Sequence, residues 1–130
     1  MPSKTELPTV PALLQVAVHS LGGKERSNQL TMASAVAHSI DTGEHLAVQA
    51  GTGTGKSLAY LLPATLWALK NEARVAVATF TINLQSQLVS SDIPVMQRAG
   101  LDFRYALLKG RSNYLCRRRL KEEAEREKAA

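Results

Sequence analysis

The stretch AGTGTGKS at positions 50–57 constrains this chain more than any other feature. It matches the P-loop pattern, with alanine in the first glycine position. Glycines let such a loop wrap tightly, so that backbone N–H groups point at phosphate oxygens. A helix that starts at the loop adds the positive end of its dipole. The pattern therefore predicts a nucleotide-binding loop between a strand and a helix.

Two side chains of the loop are predicted to be catalytic. Lys56 can reach the β and γ phosphates, and the Ser57 hydroxyl can ligate Mg²⁺. A flexible Gly/Thr loop on another fold is the plainer interpretation, but the Lys-Ser pair and the strand–loop–helix setting favour nucleotide binding. The predicted phosphate-binding residues are Ala50, Gly51, Thr52, Gly53, Thr54, Gly55, Lys56 and Ser57.

The rest of the chain alternates predicted helices with predicted strands, which indicates an α/β fold with a parallel sheet flanked by helices. Three strands make a thin sheet, and parallel sheets need covering on both faces, so we expect an incomplete part of a larger domain. The strand candidates are Leu46–Gln49, Arg74–Thr79 and Phe103–Leu108. The helix candidates are 11–21, 28–41, 56–70 with a kink or restart at Pro63, 84–89, a short helix opened by Ser91-Asp92 and Pro94 and ended by Gly100, and a charged helix from Cys116.

The composition excludes several classes of protein. The net charge is +5, and 45% of residues are hydrophobic, which argues against a disordered chain. The longest apolar stretch, 58–69, is too short for a membrane helix, and no signal peptide is recognised, so we expect no membrane partner and a cytoplasmic protein. A single cysteine fits a reducing compartment and excludes a complete cysteine-ligated metal site within one chain.

Four ordered segments resemble the DinG/XPD-type superfamily 2 DNA helicases. They are ERSNQLTMASAVAHSI, AGTGTGKSLAYLLPA, VAVATFTINLQSQLV and LLKGRSNYLC, and together they cover residues 25–116. Four matches in the right order are far more specific than one P-loop. The resemblance implies a P-loop NTPase (RecA-like) fold, with residues 1–24 as an N-terminal lead and helix and 25–115 as the first part of motor domain 1. Residues 116–130 would be the start of a charged helix at the beginning of an iron–sulfur domain.

The resemblance implies ATP as the nucleotide and adds two residues to its site. Gln29 matches the family's adenine-recognising Gln, and an amide offers the donor and acceptor that match the N6/N7 edge of adenine. Arg26 matches the family's Arg one helical turn earlier and would support the base pocket. On spacing alone, a surface helix start is the favoured interpretation of both residues.

Two further predictions follow from the resemblance. Thr79, Thr81 and Gln85 match a motif that contacts single-stranded DNA, although a capped helix with merely polar side chains explains them equally well. Cys116 matches the first ligand of a [4Fe–4S] cluster, which needs three more thiolates than this chain has. A buried, hydrophobe-like cysteine is the plainer interpretation.

ATP hydrolysis needs a second acidic motif after a buried strand, and none of the acidic residues fits it. The resemblance implies an ATP-dependent 5′-to-3′ DNA helicase associated with repair or replication, and the missing motif predicts that this chain is its N-terminal part. This part would bind ATP but be inactive alone. The alternatives are a non-catalytic nucleotide-binding module and, less favoured, a small P-loop kinase. Protein partners are not predicted.

Overall fold

A computed structural model describes residues 7–23, 27–51 and 55–130. Six α-helices occur in these ranges, joined by one π turn and one 3₁₀ turn. The helices are α1 (Val10–Ser20), α2 (Ser27–Thr42), α3 (Lys56–Lys70), α4 (Ile82–Gln87), α5 (Ile93–Arg98) and α6 (Arg117–Ala129). The π turn (Leu88–Asp92) links α4 to α5, and the 3₁₀ turn is Arg111–Asn113.

The hydrophobic core forms where α1, α2, α3, the π turn and α5 meet. Leu14, Leu62 and Met96 are fully buried, and Leu88 of the π turn is only 5% exposed. α3 is the most buried element, because its apolar residues cover more than one side of the helix. The core therefore fixes α3, whose first turn carries the Lys-Ser pair of the loop.

The helices lie close to their predicted positions. α1 and α2 end just before Gly22 and Gly43, and both glycines have a φ of 72°, the left-handed conformation that ends helices most easily at glycine. α3 runs unbroken through Pro63, so the predicted restart is wrong. Burial of Pro63 and its neighbours Leu62 and Ala64 in the core stabilises the helix there despite the missing N–H group.

The predicted strands do not form in the described residues. No described residue lies in a β-strand, so this structure does not confirm the prediction of a parallel sheet. Val48, Val77 and Leu107, one from each predicted strand, are 40–44% exposed. A strand is defined by hydrogen bonds to a neighbouring strand, and no such ladder joins the described segments.

The accessible surface is consistent with this exposure. It measures 10322 Å², whereas a compact monomer of this mass exposes roughly 6,700 Å². The three apolar segments and α6, which is exposed along its whole length, contribute to this excess.

Ion pairs between neighbouring turns lie along α6. Glu122 pairs with Arg118 at 2.9 Å, and Arg126 pairs with Glu123 at 3.3 Å. All four side chains are about half exposed or more, so these pairs add little stability. Across the described ranges, no helix is long and apolar enough to cross a membrane.

Candidate nucleotide site

The end of the phosphate loop passes directly into α3. Gly55 caps this helix with a φ of 71°, and Lys56 and Ser57 occupy its first turn. The Lys56 ammonium donates to the Ala50 carbonyl oxygen at 2.9 Å, so this side chain folds back over the loop. A cation and a helix N-terminus at the same place form an anion-binding arrangement. Gly51 is described at the start of the loop, whereas Thr52, Gly53 and Thr54 lie outside the described residues.

Gln29, in the first turn of α2, points toward the loop and is shielded from solvent. It is 5% exposed, and its Nε2 donates to the Gly55 carbonyl oxygen at 3.1 Å. A Cβ atom on Gly55 would lie 2.8 Å from the Gln29 Cδ, closer than real side chains approach. Glycine suits position 55 both for its backbone angle and for this close approach of the Gln29 side chain. Arg26, the other predicted base-pocket residue, lies outside the described ranges.

Ser57 is at the centre of a polar cluster that also contains Tyr60 and Asp92. The Ser57 side chain lies close enough to the Tyr60 phenol and to the Asp92 carboxyl group to influence the pKa of each. Burial raises the pKa of Asp92, and the nearby Ser57 hydroxyl acts in the opposite direction. Burial also raises the pKa of Tyr60, the nearby Ser57 hydroxyl lowers it, and the nearby Asp92 charge raises it further. The cluster links the first turn of α3 to the π turn.

This cluster suits a magnesium ion. The Ser57 hydroxyl is partly exposed, and the buried Asp92 Oδ2 has no hydrogen-bond partner. Hydroxyl and carboxylate oxygens are the hard ligands that Mg²⁺ prefers, directly or through water. Sequence reasoning assigned Asp92 only to a helix start, because nothing in the pattern signals contact between positions 57 and 92.

The predicted DNA-contacting residues lie together around an open cavity of about 320 Å³. The Thr81 hydroxyl accepts from the Leu84 N–H and so caps α4, and Gln85 Nε2 donates to the Leu108 carbonyl oxygen at 3.1 Å. The Thr79 hydroxyl makes a long 3.4 Å contact to the Thr81 carbonyl oxygen. All three side chains therefore have partners within the chain. The ends of two predicted strands, 74–79 and 103–108, meet at this cavity.

Phe80 and Lys109 also border this cavity, and sequence reasoning did not single them out. Phe80 has a fully exposed ring between the two predicted threonines. An exposed aromatic ring beside a lysine is a combination typical of single-stranded nucleic acid sites. The signal was available in the sequence, as a lone aromatic within the polar stretch TFT.

Cys116 is exposed and free, directly before α6, so the plainer expectation of a buried thiol is wrong. The described residues contain no cluster of three or more metal-ligating side chains. A second cavity lies beside the cysteine and is lined by Arg111, Ser112, Tyr114, Leu115, Cys116, Arg118 and Arg119. Its arginines make this face strongly basic.

Comparisons with known proteins identify the family of the chain. The family model "DEAD/DEAH box helicase" matches residues 16–126. The chain is 56% identical over 113 residues to "ATP-dependent helicase DinG" of Mycobacterium tuberculosis, covering 83% of this chain and 17% of that protein. It is 46% identical over 114 residues to "ATP-dependent DNA helicase YoaA" of Escherichia coli, covering 85% and 17%.

A third relative, "3'-5' exonuclease DinG" of Bacillus subtilis, is 36% identical over 96 residues, with 73% of this chain and 10% of that protein covered. No solved structure gives a significant match. The chain thus spans less than a fifth of the length of these relatives. The match over residues 16–126 nonetheless covers most of the chain, and the chain belongs to the DEAD/DEAH box helicase family, as a DinG-type member.

Proposed function

We propose that this chain is the ATP-binding part of an ATP-dependent DNA helicase that unwinds DNA in the 5′-to-3′ direction. The observation that carries the proposal is the junction of the loop with α3, where Gly55, Lys56 and Ser57 meet at a helix N-terminus. Membership of the helicase family supports the reaction class.

ATP binds, in this proposal, with its phosphates on the loop residues 50–57. Lys56 leaves the Ala50 carbonyl oxygen and neutralises the β and γ phosphates. Gln29 faces the adenine with the part of its amide that Gly55 does not use, and Arg26 supports the base. Mg²⁺, held by Ser57, would neutralise charge that develops on the phosphates during hydrolysis. The acidic motif for hydrolysis is not among the residues of this chain, so we expect the chain alone to bind ATP without turning it over.

Single-stranded DNA is the proposed polymer substrate, and it would lie on the cavity bounded by Thr79, Thr81 and Gln85. Of the three side chains, Thr79 has the weakest contact within the chain, since its hydroxyl makes only a long hydrogen bond. Phe80 would stack on a base, and this role explains why its ring is fully exposed. Stacking of this kind accepts any base and therefore gives no sequence preference. Lys109 would add phosphate contacts.

The parallel sheet is part of this proposal. The segments 46–49, 74–79 and 103–108 would pair as strands in a complete motor domain, and their exposed apolar side chains would then be covered. Infrared or circular dichroism spectra of a longer protein should show strand content that the described residues of this chain lack. An all-helical spectrum would contradict the sheet.

Cys116 is the proposed first ligand of a [4Fe–4S] cluster in a longer protein. Its exposure leaves the thiol accessible to iron, and the other three ligands would be supplied from outside this chain. Cys116→Ser in that protein should remove the brown cluster absorbance. An unchanged spectrum would make the thiol an ordinary surface cysteine.

The function is tested by Lys56→Ala in the longer protein, measured on forked DNA with either a 5′ or a 3′ single-stranded tail. The unaltered protein should unwind only the 5′-tailed fork, and the variant should lose ATPase and unwinding while binding DNA nearly as well. Loss of DNA binding with intact ATPase would contradict the role of the loop. Unwinding of the 3′-tailed fork alone would contradict the direction.

A further inference from the structure

One peptide group at the edge of the open cavity is held on both sides by side chains. Gln85 Nε2 donates to the Leu108 carbonyl oxygen at 3.1 Å, and the Lys109 N–H donates to the Tyr114 phenol oxygen at 2.8 Å. The carbonyl group of Leu108 and the N–H group of Lys109 belong to the same peptide bond, which is planar and rigid. Two side chains from different parts of the chain therefore fix the orientation of this peptide group.

A tight turn brings Tyr114 back to this peptide. Residues Arg111–Asn113 form the 3₁₀ turn, and the Asn113 N–H donates to the Gly110 carbonyl oxygen at 2.9 Å. Tyr114 follows the turn in an extended conformation. The hydrogen bond between Lys109 and Tyr114 thus closes a small loop that starts at the cavity.

Burial does not account for the two hydrogen bonds. Leu108 is 83% exposed and Tyr114 is 51% exposed, while Gln85 and Lys109 are partly exposed. Backbone groups at such a surface can bond to water instead, so a side-chain partner adds little net stability there. Fixing a peptide has a clearer use where a long side chain starts from it, because binding is tighter when less of that side chain has to be ordered.

We propose that Tyr114 is a positioning residue of the proposed DNA site, which holds the backbone of Lys109 so that its ammonium group meets a phosphate of the strand stacked on Phe80. The inference rests on the proposed function, because it assigns Tyr114 to the same DNA site. Lys109 lines the cavity and Tyr114 does not, so Tyr114 acts through Lys109. Gln85 has the same role through Leu108, since one of its two amide hydrogens is used there.

The test is the affinity of this chain for a fluorescein-labelled oligothymidylate, measured by fluorescence anisotropy over a range of salt concentrations. Lys109→Gln removes one phosphate contact and should reduce the slope of log affinity against log salt concentration by about 0.7. Tyr114→Phe removes only the acceptor oxygen. It should weaken binding about three- to tenfold, the range that one hydrogen bond is typically worth, and reduce the slope by part of the same amount. Added to Lys109→Gln, Tyr114→Phe should have little further effect, because both substitutions act on one contact.

Tyr105→Phe is the matched control, since Tyr105 is 49% exposed and does not line the cavity, and it should change neither the affinity nor the slope. The inference is overturned if Tyr114→Phe binds as tightly as the unaltered chain. It is also overturned if the loss from Tyr114→Phe adds in full to the loss from Lys109→Gln, which would make Tyr114 a separate contact or a general support of the fold. No binding by the unaltered chain, or full binding by Lys109→Gln, would instead contradict the proposed DNA site, and this inference with it.

Discussion

The side-chain amide of Gln29 donates to the carbonyl oxygen of Gly55 at 3.1 Å, which ties α2 to the last residue of the phosphate loop. The two residues are 26 positions apart in the sequence. Gln29 supplies the donor, and Gly55 leaves room for it. The residue proposed to read the base is thus in direct contact with the loop proposed to hold the phosphates.

Gly55→Ala should destabilise the chain more than Gly43→Ala does. Both glycines have φ near 71–72°, so each alanine adds a backbone cost of about 1 kcal/mol or more. At position 43 nothing lies within 4 Å of the added methyl, whereas at position 55 it meets the Gln29 amide. Chemical denaturation measures the free energy of unfolding of the two variants. Equal losses of stability would show that the loop shifts to make room for the added methyl group.

Adding Gln29→Ala to Gly55→Ala should recover the steric part of that loss. The two substitutions should be non-additive, because they act on one contact. Additive losses would contradict the close approach of the two residues.

Gln29→Ala alone should weaken ATP binding more than GTP binding. The amide matches the donor and acceptor of adenine, and guanine presents a different edge. Titration of the chain with each nucleotide measures the two losses. Equal losses would remove the base-reading role and leave Gln29 as a support of the loop through Gly55.

Asp92→Asn should raise the melting temperature at pH 7 by a few degrees, because it removes a buried charge with an unpaired oxygen. The sign follows from linkage. The pKa of Asp92 is raised in the folded chain, so the folded state holds more protons than the unfolded state from about pH 4 upward. Stability of the unaltered chain therefore falls as the pH rises through that window. The nearby Tyr60 stays neutral there, since its own pKa is raised from 10.0.

The advantage of the Asn variant should accordingly be small near pH 4 and largest at neutral pH. Thermal unfolding between pH 4 and 8 measures it. Asp102→Asn, at an exposed position, should show no such trend. A less stable Asn variant at pH 7 would mean that the carboxylate has a partner in solution.

Leu62→Ala should cost about 2–5 kcal/mol of unfolding free energy, because Leu62 is fully buried in α3. Leu120→Ala is the matched control, since Leu120 is also helical but 53% exposed, and it should change stability by about 0.5 kcal/mol or less. Similar losses for both would place α6 against the core.

The sequence predicts the helices well and the long-range contacts poorly. Gly22 and Gly43 mark helix ends through their own backbone preferences, which act over a few residues. The strands 46–49, 74–79 and 103–108 depend on neighbours, and local patterns do not supply hydrogen-bonding partners.

In the candidate site, too, the local features are predicted and the long-range contacts are not. Lys56 and Ser57 follow from a contiguous motif, whereas the contact between Ser57 and Asp92 depends on how the π turn packs on α3. Gln29 was predicted as a binding residue, but its hydrogen bond to Gly55 was not, because nothing in the spacing of the two residues indicates it.

The most direct measurement is an NMR titration of the ¹⁵N-labelled chain with ATP and Mg²⁺, because it detects even weak binding residue by residue. The account predicts progressive shifts at the amides of Gly51, Gly55, Lys56 and Ser57, and much smaller shifts for Lys56→Ala at the same ATP concentration. No shift at the loop amides, or equal shifts in the unaltered chain and the variant, would contradict nucleotide binding by this loop.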